Sequence, residues 1–119
     1  MQCECGQLPD IFKLETRPTF EALVDRIAIG NWVRLHKCEV CGQHWRIDEW
    51  DKYQIQFAVR IPSFDGWEQF DASSLQKAFL VQSRGGLTNQ TCIWAGCTEH
   101  QVKGVAYCAN HLYQSGARE

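Results

Sequence analysis

The stretch Cys38-Glu39-Val40-Cys41-Gly42 decides the fold of this chain. Two thiols separated by two residues fit a tight turn that points both sulfurs at one ion about 2.3 Å away. Glycine after the second thiol permits a positive φ at the end of that turn. A second thiol pair lies in Cys3-Glu4-Cys5-Gly6. The two pairs predict one tetrahedral Cys₄ zinc site, which closes the intervening chain into a loop.

A second group of ligands lies near the C-terminus. Cys92, Cys97, Cys108 and His111 follow the spacing C-x4-C-x10-C-x2-H. A helix over residues 109–115, ended by Gly116, would place the last two ligands on one face. His100 is a rival ligand, because it follows Cys97 at C-x2-H spacing. We favour Cys92, since otherwise one thiol is left over.

Composition limits the possible classes of protein. A chain of 119 residues is long enough for one domain or two small ones, and no apolar run approaches the ~20 residues of a membrane span. The first residues lack the features of a signal peptide, so we expect a cytoplasmic protein. Seven cysteines in a reducing compartment favour metal over disulfides. The formal charge of −2 becomes about −5 with two zinc ions bound, which disfavours nucleic acid as the partner.

Hydrophobic periodicity predicts the secondary structure. A helix is expected over residues 18–29, capped at Thr19 and Gly30, with one buried stripe formed by Phe20, Leu23, Val24 and Ile27. Strands are expected over residues 32–36, 44–50 and 53–61, the last with alternating buried and solvated side chains. A second helix is expected over residues 72–83, with Asp71 or Ser73 as its N-cap and Gly85-Gly86 as its end. Residues 85–90 are expected to form a flexible joint, and residues 101–107 a hairpin around Gly104.

The two ligand groups resemble two known classes of zinc site. The pairing of Cys3 and Cys5 with Cys38 and Cys41, each pair followed by glycine, resembles a zinc ribbon with an inserted helix and strand. Residues 92–116 resemble a treble-clef zinc finger, which implies a knuckle, a hairpin and a ligand-bearing helix. These resemblances imply a zinc-ribbon-like domain over residues 1–86 and a treble-clef-like finger over 87–119. The expected fold is α+β: a small antiparallel sheet with two helices, stabilised by two structural zinc sites.

The middle of the chain combines acidic and aromatic residues. Between Glu39 and Asp71 there are seven acidic residues against three basic ones. Among them lie the aromatic residues Trp45, Trp50, Phe64, Trp67 and Phe70. Aromatic anchors inside a charged rim are typical of protein interfaces, and this charge suits a basic partner. The predicted partner surface consists of Asp48, Glu49, Trp50, Asp51, Asp65, Trp67 and Glu68. Trp50 and Trp67 could instead belong to the core.

These features favour a binding protein over an enzyme. Four protein ligands at each site suit a structural role, and the sequence carries no deaminase, metalloprotease, nucleophile-elbow or phosphate-loop signature. In general character the chain resembles bacterial immunity proteins, which are short, acidic and aromatic-rich, and this implies that it masks a basic, nuclease-type toxin. The alternative is a nucleic-acid-associated zinc-ribbon accessory factor, which rests on analogy of fold alone.

Overall fold

A computed structural model describes residues 3–119 of the chain, so Met1 and Gln2 lie outside the described residues. The chain divides into two compact units, Met1–Asp71 and Ala72–Glu119. This division lies earlier than the boundary expected after residue 86, because the helix before that boundary packs with the C-terminal helix. The fold class is α+β with a mostly antiparallel sheet and two helices. Within the described residues, no helix is long and apolar enough to span a bilayer.

The first unit is built on a five-stranded antiparallel sheet with the order β1-β5-β4-β3-β2. Its strands are β1 Ile11–Lys13, β2 Val24–Ile29, β3 Val33–Cys38, β4 His44–Asp48 and β5 Phe57–Ile61. Consecutive strands β2, β3 and β4 are joined by short loops, so they pair as neighbours. β1 instead pairs with β5 at the other edge of the sheet.

The helix predicted over residues 18–29 is wrong. A short 3₁₀ helix, Phe20–Leu23, leads directly into β2, and the Thr19 side chain does not cap it. Phe20 and Val24 are buried as expected, but Leu23 and Ile27 are exposed. Two β-branched residues, Ile27 and Ile29, precede a Gly-Asn turn, and both features favour a hairpin with β3 over a helix. The helical spacing of the apolar residues was therefore a coincidence.

Three aromatic rings fill the core on one face of the sheet. Trp45 is fully buried and makes edge-to-face contacts with Phe12 and Phe20, at centroid distances of 5.6 and 5.3 Å. Phe12 and Phe20 meet each other at 5.1 Å. Cys5 and Cys38 belong to the same buried cluster. Two of the four predicted N-terminal metal ligands are thus part of the hydrophobic core, whereas Cys41 is exposed.

The strand predicted over residues 53–61 is shorter than expected. β5 covers only Phe57–Ile61, and Tyr53 is 84% exposed in a turn before it. Ala58 was expected on a solvated face but is fully buried. β5 is an inner strand, paired with β1 on one edge and with β4 on the other. Its consecutive residues Phe57, Ala58 and Val59 are all buried, so both of its faces are covered. Trp45 and Ile47 occupy alternate positions of β4, and both are fully buried.

A loop over residues 62–71 is held in place by Arg46 of β4. One guanidinium nitrogen of Arg46, Nη1, donates to the carbonyl oxygens of Trp67, Glu68 and Phe70 at 2.9–3.3 Å. The Trp67 ring is buried, with 8% of its surface exposed. A Cβ atom added at Gly30 would lie 2.9 Å from this ring, so the ring packs directly beneath the β2–β3 turn.

The second unit contains α1 Ser73–Ser83, β6 Leu87–Thr91, β7 His100–Val102 and α2 Ala109–Gln114. Leu80, Val102 and Leu112 form its buried centre. Neither expected residue caps α1, because Ala72 occupies the cap position. The flexible joint predicted over 85–90 is wrong: after Gly85 and Gly86 end the helix with positive φ, Leu87 begins a strand that pairs with β7.

Trp67 and Trp50 form a matched pair for testing the core. Trp67→Ala removes a buried ring and should cost about 3–5 kcal/mol of unfolding free energy. Trp50, which is 71% exposed, should change that free energy by no more than about 0.5 kcal/mol when replaced by alanine. Urea unfolding of both variants measures the difference. Equal midpoints would contradict this assignment of Trp67 to the core.

Candidate metal centres

The N-terminal cluster consists of Cys3, Cys5, Cys38 and Cys41, whose sulfur atoms all lie within 4.8 Å of one another. Cys38 is the last residue of β3, and Cys41 lies in the loop that joins β3 to β4. Gly42 has a φ of +78°, and its N–H donates to the Cys38 carbonyl at 2.9 Å. The turn at the end of β3 therefore directs the thiols of Cys38 and Cys41 toward one shared position, as the C-x-x-C spacing predicted.

Arg60 of β5 fixes the other half of this cluster. Its Nη2 donates to the carbonyls of Cys5 and Leu8 at 2.6 and 2.8 Å, and its Nε pairs with Asp10 at 2.9 Å. Its Nη1 donates to Gln43 Oε1 at 3.2 Å, in the β3–β4 loop that also carries Cys41. One guanidinium thus ties the N-terminal segment to the hairpin loop. The sequence pattern had placed Arg60 on a solvated face, so this role was missed.

The thiols of this cluster differ in their tendency to ionise. Burial raises the pKa of Cys5 to about 12, although the nearby indole N–H of Trp45 lowers it. The Trp45 indole N–H is buried and has no hydrogen-bond acceptor among the described residues. A thiolate at Cys5 would provide one. At Cys38, burial is outweighed by the backbone N–H groups of Cys41 and Val40, which bring the pKa down to about 7.

The C-terminal cluster consists of Cys92, Cys97, Cys108 and His111, with all ligand atoms within 4.8 Å of one another. The Cys97 and Cys108 sulfurs are 3.9 Å apart, and His111 Nδ1 lies 3.4 Å from Cys92 Sγ and 3.3 Å from Cys108 Sγ. Ligands about 2.3 Å from a central ion form a tetrahedron with edges of about 3.8 Å. These distances fit a single ion held by four ligands.

Helix α2 carries the second half of this site, as predicted. Cys108 occupies its N-cap position and accepts a hydrogen bond from the His111 backbone N–H. The hairpin predicted over 101–107 is only partly formed. Val102 and Tyr107 are joined across Gly104 by a 2.8 Å hydrogen bond, but β7 pairs with β6 and not with the returning chain.

The structure shows that Cys92, and not His100, lies with the other three candidate ligands. His100 is exposed in β7 and is not part of the cluster, whereas Cys92 is buried within it. Burial would raise the pKa of Cys92, but the backbone N–H groups of Trp94 and Cys108 outweigh it and lower the pKa to about 6. Trp94 stacks on the His111 ring at 4.5 Å with an interplanar angle of 12°. It shields one face of that ligand, a contact that the ligand spacing did not predict.

The seven residues of the predicted partner surface have different environments. Trp67 is in the core, which corrects its assignment to the surface. Asp48 is half-buried and accepts a hydrogen bond from the Phe57 N–H at 2.9 Å. Burial raises its pKa, against the opposing effects of this N–H and of Arg46. Trp50, Asp65 and Glu68 are exposed, while Glu49 and Asp51 are half-buried.

Sequence reasoning missed one exposed ring next to this surface. Trp32 was placed at the start of a strand, but it lies in the β2–β3 turn with a φ of +65° and is 68% exposed. Its carbonyl accepts a hydrogen bond from the Glu49 N–H at 2.9 Å, so it neighbours Trp50. The Gly30-Asn31 dipeptide before it is a turn signal that could have revealed this position.

The two clusters predict two metal ions per chain, each bound by one unit. Cys41→Ser and Cys108→Ser should each lower the metal content from two ions to one, because each removes a ligand from only one cluster. His100→Ala is the matched control and should leave two ions. Elemental analysis of the purified variants measures these ratios. Two ions retained in Cys41→Ser would contradict the N-terminal centre.

Arg60 should control metal affinity at the N-terminal cluster without being a ligand. Arg60→Lys keeps the charge but cannot reproduce four separate hydrogen bonds, so the affinity should fall by about 10- to 100-fold. Arg26→Lys, at an exposed position of β2, is the control. Chelator competition measures both affinities. Equal chelator midpoints for the two variants would show that Arg60 does not hold the site.

Comparisons with known proteins found no matching family model, curated protein or solved structure. What the protein does must therefore be inferred from the chain's own residues. Those residues provide two groups of four ligands that could each hold a metal ion.

Proposed function

We propose that this chain is a small zinc-stabilised protein that binds and masks a basic protein partner, in the manner of an immunity protein that blocks a nuclease-type toxin. Thiolate and imidazole donors in groups of four favour zinc among the common metal ions. Four protein ligands leave no coordination position for water, which supports a structural role for both ions. All seven cysteines belong to the two ligand groups and none is in a disulfide, which supports a reducing, cytoplasmic location.

The distribution of charge between the two units carries this proposal. The first unit has twelve acidic and eight basic residues, a formal charge of −4, whereas the second has two acidic and four basic residues, a charge of +2. Zinc with four thiolates would bring the first unit to about −6, and zinc with three thiolates and a neutral histidine would bring the second to about +1. The acidic excess thus belongs entirely to the unit that also exposes Trp32 and Trp50.

The negative charge of the first unit supports a protein partner over a nucleic acid. Nucleic-acid affinity comes mostly from neutralising phosphates with basic side chains, and the first unit would repel them. A basic protein would instead be attracted at a distance, with an association rate that falls as salt is added. The exposed aromatic rings would supply the buried contacts that charge alone does not give.

A neutralisation assay tests this function. Reading frames adjacent to the gene are expressed in a host cell, alone and together with this chain. A frame that encodes a basic protein, stops growth when alone and becomes harmless with this chain is the expected result. Cys41→Ser, which should lose the N-terminal metal ion, is expected to protect poorly. If no adjacent product is toxic, or if a toxic one is not relieved, the masking function is wrong.

A further inference from the structure

One end of the first unit's sheet exposes aromatic rings among carboxylates. We name it the tryptophan end and define it by Trp32, Glu49, Trp50, Asp51, Tyr53 and Glu68. The three rings are 68%, 71% and 84% exposed. They lie in two neighbouring turns, between β2 and β3 and between β4 and β5, which are joined by the hydrogen bond from Glu49 N–H to the Trp32 carbonyl.

The backbone that presents Trp32 is held rigidly. A non-glycine residue with a φ of +65° is uncommon and persists only where surrounding contacts impose it. Here the Gly30 N–H donates to the Val33 carbonyl at 2.8 Å, and the Asn31 N–H donates to Glu68 Oε1 at 2.7 Å. The buried Trp67 ring closes the space beneath the turn. The backbone that carries the exposed Trp32 ring is therefore fixed on a supported turn, a form of preorganisation that favours binding.

The carboxylates of this end are also fixed, yet they remain accessible. Glu68 is exposed and uses one oxygen for Asn31, and Asp51 accepts from the Tyr53 N–H at 2.8 Å. Glu49 lies 3.4 Å from Arg34, a cation that is also 3.6 Å from Glu21. The Lys52 ammonium lies 4.9 Å from the centre of the Tyr53 ring. A cation over an aromatic ring is thus already present at this surface.

We propose that the tryptophan end binds a basic, arginine-containing segment of the partner protein. Guanidinium groups of that segment stack on Trp32 or Trp50, and its remaining basic groups pair with the surrounding carboxylates. This inference rests on the proposed function and names the surface and the chemistry that it would use. A second copy of the chain is a poorer occupant, because it would bring like-charged carboxylates together.

The test uses the metal-loaded full chain labelled with ¹⁵N. The probes are three twelve-residue peptides with alternating glycine: one with arginine, one with lysine and one with glutamine as the uncharged control. The indole N–H signals of Trp32 and Trp50 should shift and saturate with the arginine peptide, while those of the buried Trp45 and Trp67 should not. The lysine peptide should bind more weakly, because ammonium stacks less well on indole. The glutamine peptide should not bind.

Variants separate the surface from the fold. Trp32→Ala and Trp50→Ala should each weaken arginine-peptide binding about tenfold or more, with unchanged melting temperature and two metal ions. Phe64→Ala, another exposed aromatic of the same unit, is the matched control and should bind as the unaltered chain does. Glu68→Gln keeps an acceptor for the Asn31 N–H but removes a charge, so its binding should be a few-fold weaker and less sensitive to salt.

Several results would overturn this inference. It fails if the arginine peptide does not bind, if the indole shifts map elsewhere, or if both tryptophan variants bind normally. Binding of an RNA oligonucleotide in place of the peptide, or self-association abolished by Trp50→Ala, would assign the surface to another occupant. The neutralisation assay keeps the two proposals distinct. If Trp32→Ala and Trp50→Ala still relieve toxicity fully, the masking function stands and the tryptophan end is not its surface.

Discussion

The first unit depends on the attachment of its N-terminal segment to the β3–β4 loop. Four thiols from these two segments meet within 4.8 Å, and Arg60 joins the same two segments by hydrogen bonds. Cys5 and Cys38 also belong to the buried cluster around Trp45, so the metal centre and the aromatic core are continuous. Binding of an ion there would therefore stabilise the packing of the core as well as the loop, which is how metal binding becomes coupled to folding.

The sheet separates the metal centre from the tryptophan end. β3 runs from Val33, next to the exposed Trp32, to Cys38 in the cluster. Six residues of extended chain span about 20 Å, so the two features lie at opposite ends of the same strand. One strand thus connects the exposed Trp32 turn to a group of ligands that could hold a metal ion. Substitutions at the exposed rings leave the ligands untouched for the same reason.

Sequence reasoning found the ligands but misjudged part of the chain between them. Thiol spacing is a local property imposed by tetrahedral geometry, so it could be read without knowing the fold. The helix expected over residues 18–29 failed because apolar spacing does not reveal which edge of a sheet will supply hydrogen bonds. Burial of Trp67 depended on Arg46, which is distant in sequence and draws the loop over residues 62–71 onto the sheet. Non-local contacts of this kind leave no signal in periodicity.

The two metal centres reinforce an existing asymmetry of charge. A Cys₄ zinc site would add about −2 to the unit that is already acidic, and a Cys₃His site would add only about −1 to the basic unit. The choice of a histidine ligand in one cluster thus widens the difference in charge between the units. The proposed basic partner would be attracted to the first unit and repelled weakly by the second, even before any contact forms. In that proposal, long-range attraction selects the unit, and the exposed aromatic rings then select the position on it.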